Sequence, residues 1–107
     1  MDIQLIYITA SDMAEAQAVS RALLDKRLVA CVNLIDGMKA MYWWEGQIEE
    51  GQEVVIIGKT IAALVPEVIE TVKSVHSYDC PCVVSMPVSD GNPAFLNWIK
   101  KEVNKTV

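Results

Sequence analysis

The side chains able to do chemistry gather in two stretches of this 107-residue chain. One runs from Cys31-Val32-Asn33 to Tyr42-Trp43-Trp44-Glu45-Gly46, and the other is His76-Ser77-Tyr78-Asp79-Cys80-Pro81. His76 is the only histidine. Neutral imidazole ligates copper or zinc, with a cysteine thiolate and a carboxylate such as Asp79 as companions. The plainer reading is a helix-terminal histidine that bonds a carbonyl or sits favourably in the helix dipole. Cys31 lies in an apolar run, where a thiol is either a small buried hydrophobe or a soft ligand for copper. Cys80-Pro81-Cys82 is a weak metal motif, and without a second cysteine pair a closed structural zinc site is not expected.

Lys59, Glu45, His76, Tyr78 and Asp79 together make an acid/base set of the kind that proton transfer near neutral pH requires. No nucleophile elbow, phosphate loop or histidine-rich motif accompanies them, so no reaction is assigned. A pocket for a small ligand or ion needs the same residue types. Tyr42, Trp43 and Trp44 read first as core or subunit interface. Glu45 at a turn reads as a solvated charge, whereas Lys59, after Gly58 at the end of an apolar strand, needs a partner or a bound anion.

These residues must be positioned by one domain of ordinary size, residues 1 to 107, with core enough to fold without disulfides. The three cysteines are an odd number and are read as reduced thiols. Met1-Asp2-Ile3-Gln4 lacks the basic start of a secretory signal, so a cytoplasmic setting is expected. The composition is 52% hydrophobic and 21% charged, yet no apolar run approaches the ~18 to 20 residues of a membrane-spanning helix. With a net charge of −5 and scattered Lys and Arg there is no basic stripe for nucleic acid.

Residues 3 to 10 predict a strand covered on both faces. Ser11 and Asp12 offer N-cap oxygens, with Glu15 placed as in a capping box. The helix they start runs to about Lys26, with Ala14, Ala18, Ala22, Leu23 and Val19 on its apolar stripe. Residues 29 to 44 predict a long strand interrupted by a bulge or turn at Asp36-Gly37. Glu45-Gly46-Gln47 reverses the chain, and residues 53 to 59 return as the antiparallel partner. A second helix is expected from an N-cap at Thr60, its regular part beginning near Val65 because of Pro66, through Leu64, Val68, Ile69, Val72 and Val75. Residues 81 to 88 predict a short strand, and Asn92-Pro93 starts a last helix, about 93 to 104, with Phe95, Leu96, Trp98 and Ile99 toward the core.

The order β-α-β-β-α-β plus a C-terminal helix is the ferredoxin-like α+β sandwich. Both crossover helices then cover one face of the sheet. The other face carries apolar residues whichever alternate positions point to it, so self-association through that face is expected. The aromatic 30 to 44 arm is suited to wrapping a neighbour or extending its sheet edge.

Leu28-Val29-Ala30-Cys31-Val32-Asn33, the spacing of Tyr42, Trp44, Glu45 and Gly46, Lys59-Thr60, the pair His76 and Tyr78, and Trp98 span nearly the whole chain. Through them it resembles the CutA family of divalent-ion tolerance proteins. Ser77 and Asp79 depart from the family's usual His-Pro-Tyr-Glu, while Pro81 keeps its place. The resemblance implies a compact homotrimer, a link to copper and other divalent cations, and a cleft between protomers. It puts Cys31 at a family position for copper and Glu45 in the cleft facing Lys59 or a neighbour's groups. The expected protein is therefore a cytoplasmic homotrimer that binds copper or another divalent cation through Cys31, His76 and Asp79, with Glu45, Lys59, Tyr78 and Trp44 lining the cleft. One His and one such Cys per chain cannot fill a tetrahedral ion, so neighbouring subunits must contribute. The rival readings are a small-molecule sensor similar to the nitrogen-regulatory PII proteins, by analogy of fold alone, an enzyme using the same cleft, and a scaffold serving a protein partner.

Overall fold

A computed structural model describes residues 2–103. The first strand, β1 (Ile3–Ala10), ends where the Asp12 side chain caps helix α1 (Met13–Asp25) by accepting from the Glu15 N–H at 2.8 Å. The buried stripe of α1 is Ala16, Val19, Ser20 and Leu23, an i, i+3, i+4, i+7 set. Ala14 and Ala18, expected on that stripe, are exposed: Val19 and Leu23 fix the rotation of the helix, and two alanines contribute too little apolar area to compete.

Arg27 ends the helix with φ 53, the left-handed position usually given to glycine. Its N–H bonds the Leu24 carbonyl and the Leu28 N–H bonds that of Leu23, which together form a Schellman closure. The Arg27 guanidinium reaches across to the carbonyl and carboxylate of Glu102 at 2.9 and 3.2 Å, tying this turn to the end of the chain's last helix.

Strand β2 (Cys31–Trp44) pairs with β3 (Gln47–Ile61) as one long hairpin, with a bulge between Ile35 and Met38 where Gly37 has φ 74. Glu45 and Gly46, at φ 49 and 79, make the two-residue turn that right-twisted strands require. The return strand is longer than the expected 53 to 59 at both ends. Its distal half leaves the body of the protein as an arm on which Trp43 is 72% exposed. That arm raises the radius of gyration to 14.4 Å, against about 13 Å for a compact chain of this length.

A 3-10 turn (Ala62–Leu64) leads into α2 (Val65–Val75), with Pro66 in its first turn. Thr60 is not the cap expected of it. It stays in β3, wholly buried, and its hydroxyl donates to the Leu28 carbonyl at 2.6 Å. Strand β4 (Val83–Pro87) is shorter than expected, and Asn92 caps α3 (Pro93–Glu102) through the Ala94 N–H as the sequence predicts. Residue 104, the expected end of that helix, lies outside the described residues. Only Ile99 of α3 is buried. Phe95 and Trp98, expected in the core, stack on each other at 5.6 Å and stay about 40% exposed, at 43% and 39%.

The sheet order is β2-β3-β1-β4, every pair antiparallel. This is the ferredoxin-like α+β arrangement with one added helix. Ile6, Ile8 and Ala10 of β1 and Val54 and Ile56 of β3 meet Val19, Leu23, Val68 and Val72 in the core under α1 and α2. The alternate residues form the opposite face, in cross-strand rows such as Asn33, Ile57, Tyr7 and Val84, and Cys31, Lys59, Leu5 and Met86.

Candidate functional site

His76 is the hub of a polar cluster at the end of α2. Its backbone N–H closes the helix on the Val72 carbonyl, and its imidazole is fully enclosed. Nε2 lies 2.7 Å from the Thr9 carbonyl, which can only accept, so Nε2 carries the hydrogen. Nδ1 is then free to accept from the Tyr78 N–H at 3.1 Å. Both ring nitrogens are thus engaged, and the Tyr78 ring tilts against the imidazole with centroids 4.7 Å apart.

Beside the imidazole, 3.9 Å from Nδ1, stands the Glu15 carboxylate. It accepts from the Ser11 N–H and hydroxyl, both at 2.9 Å, and from the Ser77 N–H at 2.7 Å. Burial by itself would raise the Glu15 carboxyl, but the hydrogen bonds from Ser11 and Ser77 outweigh it and hold the group at about 2. One carboxylate therefore joins the start of α1 to the loop after α2.

The cluster continues outward through Tyr78, whose hydroxyl donates to Glu53 Oε2 at 3.0 Å. Burial, then the bond to Glu53 and its negative charge, push the phenol up to about 12. Cys82 lies next to Thr9 and Glu53. Burial raises its thiol most, the Thr9 hydroxyl works against that rise, and the Glu53 charge adds to it. The surroundings thus favour the charged form of the Glu15 carboxyl and the neutral forms of the Tyr78 phenol and the Cys82 thiol.

The residues expected to act together are spread over the protomer. Cys31 is half-buried on the open sheet face, opposite Lys59. Lys59 donates to Asn33 Oδ1. Thr9, which holds His76, pairs with Val55, four ladder positions from Lys59. Cys31 and His76 therefore sit about 13 Å apart along the strands, on different parts of the sheet. Asp79 is exposed in the bend after Tyr78. Trp44 and Glu45 are exposed at the tip of the arm, twelve residues of β3 and roughly 40 Å of strand from Lys59. Among the described residues no group of three His, Cys, Asp or Glu is placed to hold a metal ion. Of the expected set, His76 meets Tyr78 and Cys31 stands opposite Lys59, and the two pairs lie apart.

Sequence reasoning read Glu15 only as a helix cap and missed its grip on Ser77, 62 residues away. Glu53 was likewise only the start of a strand. The capping spacing from Asp12 to Glu15 was the sole signal, and it carries nothing about a distant loop. A concavity of about 380 Å³, open to solvent, is lined by Leu24, Arg27, Val29, Trp98 and Glu102 and shares no residue with the cluster.

Such a β2-β3-β1-β4 sheet, with a projecting hairpin and a histidine cluster at one end, defines a small ferredoxin-like protein of the kind that presents one apolar sheet face. The family model of the CutA1 divalent ion tolerance protein matches residues 4–102, and the chain belongs to that family. The divalent-cation tolerance protein CutA of Archaeoglobus fulgidus is 43% identical over 98 residues, covering 92% of this chain and 95% of that protein. Protein CutA of Mus musculus is 41% identical over 97 residues, 91% of this chain, and the chain spans only 55% of its length. The crystal structure of CutA1 from Oryza sativa superposes with a TM-score of 0.95 at 30% identity, covering 99% of this chain and 97% of that one. The Archaeoglobus fulgidus structure, described as a periplasmic divalent cation tolerance protein, gives 0.92 at 41% identity and covers 95% of this chain and 99% of its own.

Proposed function

We propose that the chain acts in divalent-cation tolerance as a homotrimer, taking up copper or another divalent cation at ligands drawn from more than one copy. The open sheet face carries this reading. Val84 and Met86 on it are 50% and 43% exposed, Leu5, Tyr7 and Ile57 lie beside them, and the aromatic arm projects next to it. An apolar surface of this kind is costly in water and is removed when sheets meet face to face. Cys31 stands on the same face, so assembly carries it toward groups of other copies. Asp79 is exposed and available, and His76 becomes a ligand once the Tyr78 N–H gives up Nδ1. Because one chain offers no three-member ligand group among its described residues, the site depends on the assembly. The three free cysteines, two of them exposed, favour a reducing, cytoplasmic setting.

Copper titration followed by absorbance and by sedimentation tests the reading. The expected result is a trimer that takes up the ion with a spectral change lost in His76→Ala and Cys31→Ala. A monomeric mass at micromolar dilution, or the same titration curve in both variants, overturns it.

Lys59 supports a second reading. Its ammonium lies on the largely apolar open face beside Asn33, and among the described residues no carboxylate pairs with it. A cation placed so is a receptor for an anionic small molecule, with Tyr78 and Glu45 of a neighbouring copy as further contacts, as in a PII-like sensor. Thermal-shift screening against metabolites and metals separates the two, since only the true ligand class raises the melting temperature.

A further inference from the structure

The concavity between the end of α1 and the end of α3 belongs neither to the polar cluster around His76 nor to the open sheet face. Its floor is Val29, which is part of the core under the helices and lies beside Gly58 on that covered side. Assembly through the open face therefore does not use it.

Two residues of its wall stand out. Arg27 holds φ 53, a conformation unfavourable for any residue with a Cβ, and backbone strain of this kind collects at binding sites. Trp98 is left 39% exposed, and Phe95, which does not line the concavity, braces its ring with centroids 5.6 Å apart.

The charged groups of the lining are Arg27, Asp25 and Glu102. Asp25 is already paired with Arg21 at 3.4 Å. What faces a ligand is thus the Arg27–Glu102 pair, opposite charges 3.2 Å apart. Both bonds to Glu102 come from Nη1, so among the described residues Nε and Nη2 remain to donate and Glu102 Oε2 remains to accept. A simple anion is opposed by Glu102 and a simple cation by Arg27. A molecule with both charges on neighbouring atoms lies head to tail along the pair and satisfies the two together. Leu24, Val29 and Trp98 offer it apolar and aromatic surface, and a volume of about 380 Å³ is in the range of small-molecule sites.

We propose that this concavity binds a free α-amino acid with an apolar side chain. The carboxylate accepts from the open edge of the Arg27 guanidinium, the ammonium donates to Glu102 Oε2, and the side chain lies against Leu24 and Trp98. Both helices end at the site, α1 at Asp25 and α3 at Glu102, and their C-terminal dipoles favour the ammonium. The site shares no residue with the proposed ion ligands and does not depend on the divalent-ion reading above.

Nitrogen-proton NMR of the indole groups reads the site in the full chain, with the Trp98 signal assigned from Trp98→Phe. L-leucine is expected to shift that signal saturably and to leave those of Trp43 and Trp44 in place. Isocaproate lacks the ammonium, isoamylamine lacks the carboxylate and glycine lacks the side chain. Each is expected to bind the unmodified protein at least about tenfold more weakly than leucine, a comparison free of any folding defect. Arg27→Gln and Glu102→Gln are each expected to lower the leucine affinity by about tenfold, as one charge-assisted contact is lost. An unmoved Trp98 signal, equal movement of all three indole signals, a match to leucine by any of the three analogues, or parental titration curves in both variants overturns the proposal.

Discussion

Among single residues, the Glu15 carboxylate is held in its charged form by hydrogen bonds from Ser11 and Ser77. Its folded value of about 2 lies below the ordinary 4.5, so the ionised form is favoured by folding. The stabilisation is fully present above pH 4.5 and is lost as the pH falls from there toward 2. Allowing for solvent screening near the surface, it amounts to about 1 to 2 kcal/mol. Denaturant unfolding of Glu15→Gln against the parent chain, at one protein concentration, is expected to show that difference at pH 6 and little of it at pH 2. An equal difference at both values would mean that the loss comes from packing and not from charge. His76 carries a sharper expectation. Long-range nitrogen-proton NMR should find the neutral imidazole with hydrogen on Nε2 and a bare Nδ1, because the Thr9 carbonyl accepts from one nitrogen and the Tyr78 N–H donates to the other.

The elements owe their ends to a few backbone positions and hydroxyls. Thr60 is a buried strand residue with a hydroxyl bond to the α1–β2 connection, so Thr60→Val leaves the Leu28 carbonyl without its partner. The expected cost is about 1 to 2 kcal/mol, measured by equilibrium unfolding, whereas a helix-capping role would cost less and would act on α2 alone. Glu45 holds φ 49 at the hairpin turn, a conformation that favours asparagine or glycine. Glu45→Asn is therefore expected to stabilise the arm by about 0.5 to 1 kcal/mol, visible as slower amide exchange in residues 42 to 49. Faster exchange there would show that the glutamate side chain holds the turn. Arg27 sits in the same left-handed region, but its guanidinium is committed to Glu102, which explains why a bulky residue persists where glycine is usual.

For the whole molecule, the decisive feature is a sheet with one covered face and one open one. Val84→Arg puts a charge in the row formed by Asn33, Ile57, Tyr7 and Val84 without touching the core under the helices. On the proposed assembly through this face, sedimentation should then report dissociation to single chains while far-ultraviolet circular dichroism is unchanged. Loss of both signals together would mean that Val84 supports the protomer itself. Trp43 and Trp44 supply an independent gauge, being 72% and 58% exposed in the isolated chain. Their fluorescence should move to the red on dissociation if the arm lies against another copy.

The periodicities were legible because they are local. A strand, its capping residues, a bulge at Asp36-Gly37 and a reversal at Glu45-Gly46 each depend on neighbours within a few positions, and these together specify the order of elements and hence the ferredoxin-like sheet. The exposed apolar face followed from the same alternation. Less legible was the rotation of each helix, since Ala14 and Ala18 satisfy the helical spacing as well as Ala16 does. Phe95 and Trp98 likewise look like core residues until the sheet leaves them nothing to lie under. The union of Glu15, Ser77, His76, Tyr78, Thr9 and Glu53 left no trace in the sequence. Hydrogen bonds between residues tens of positions apart exist only after the strands have registered, and the chain carries no pattern for them. Sequence alone thus determined which elements form and in what order. Tertiary structure decided which polar atoms meet, because that depends on the closing of the sheet against α1 and α2.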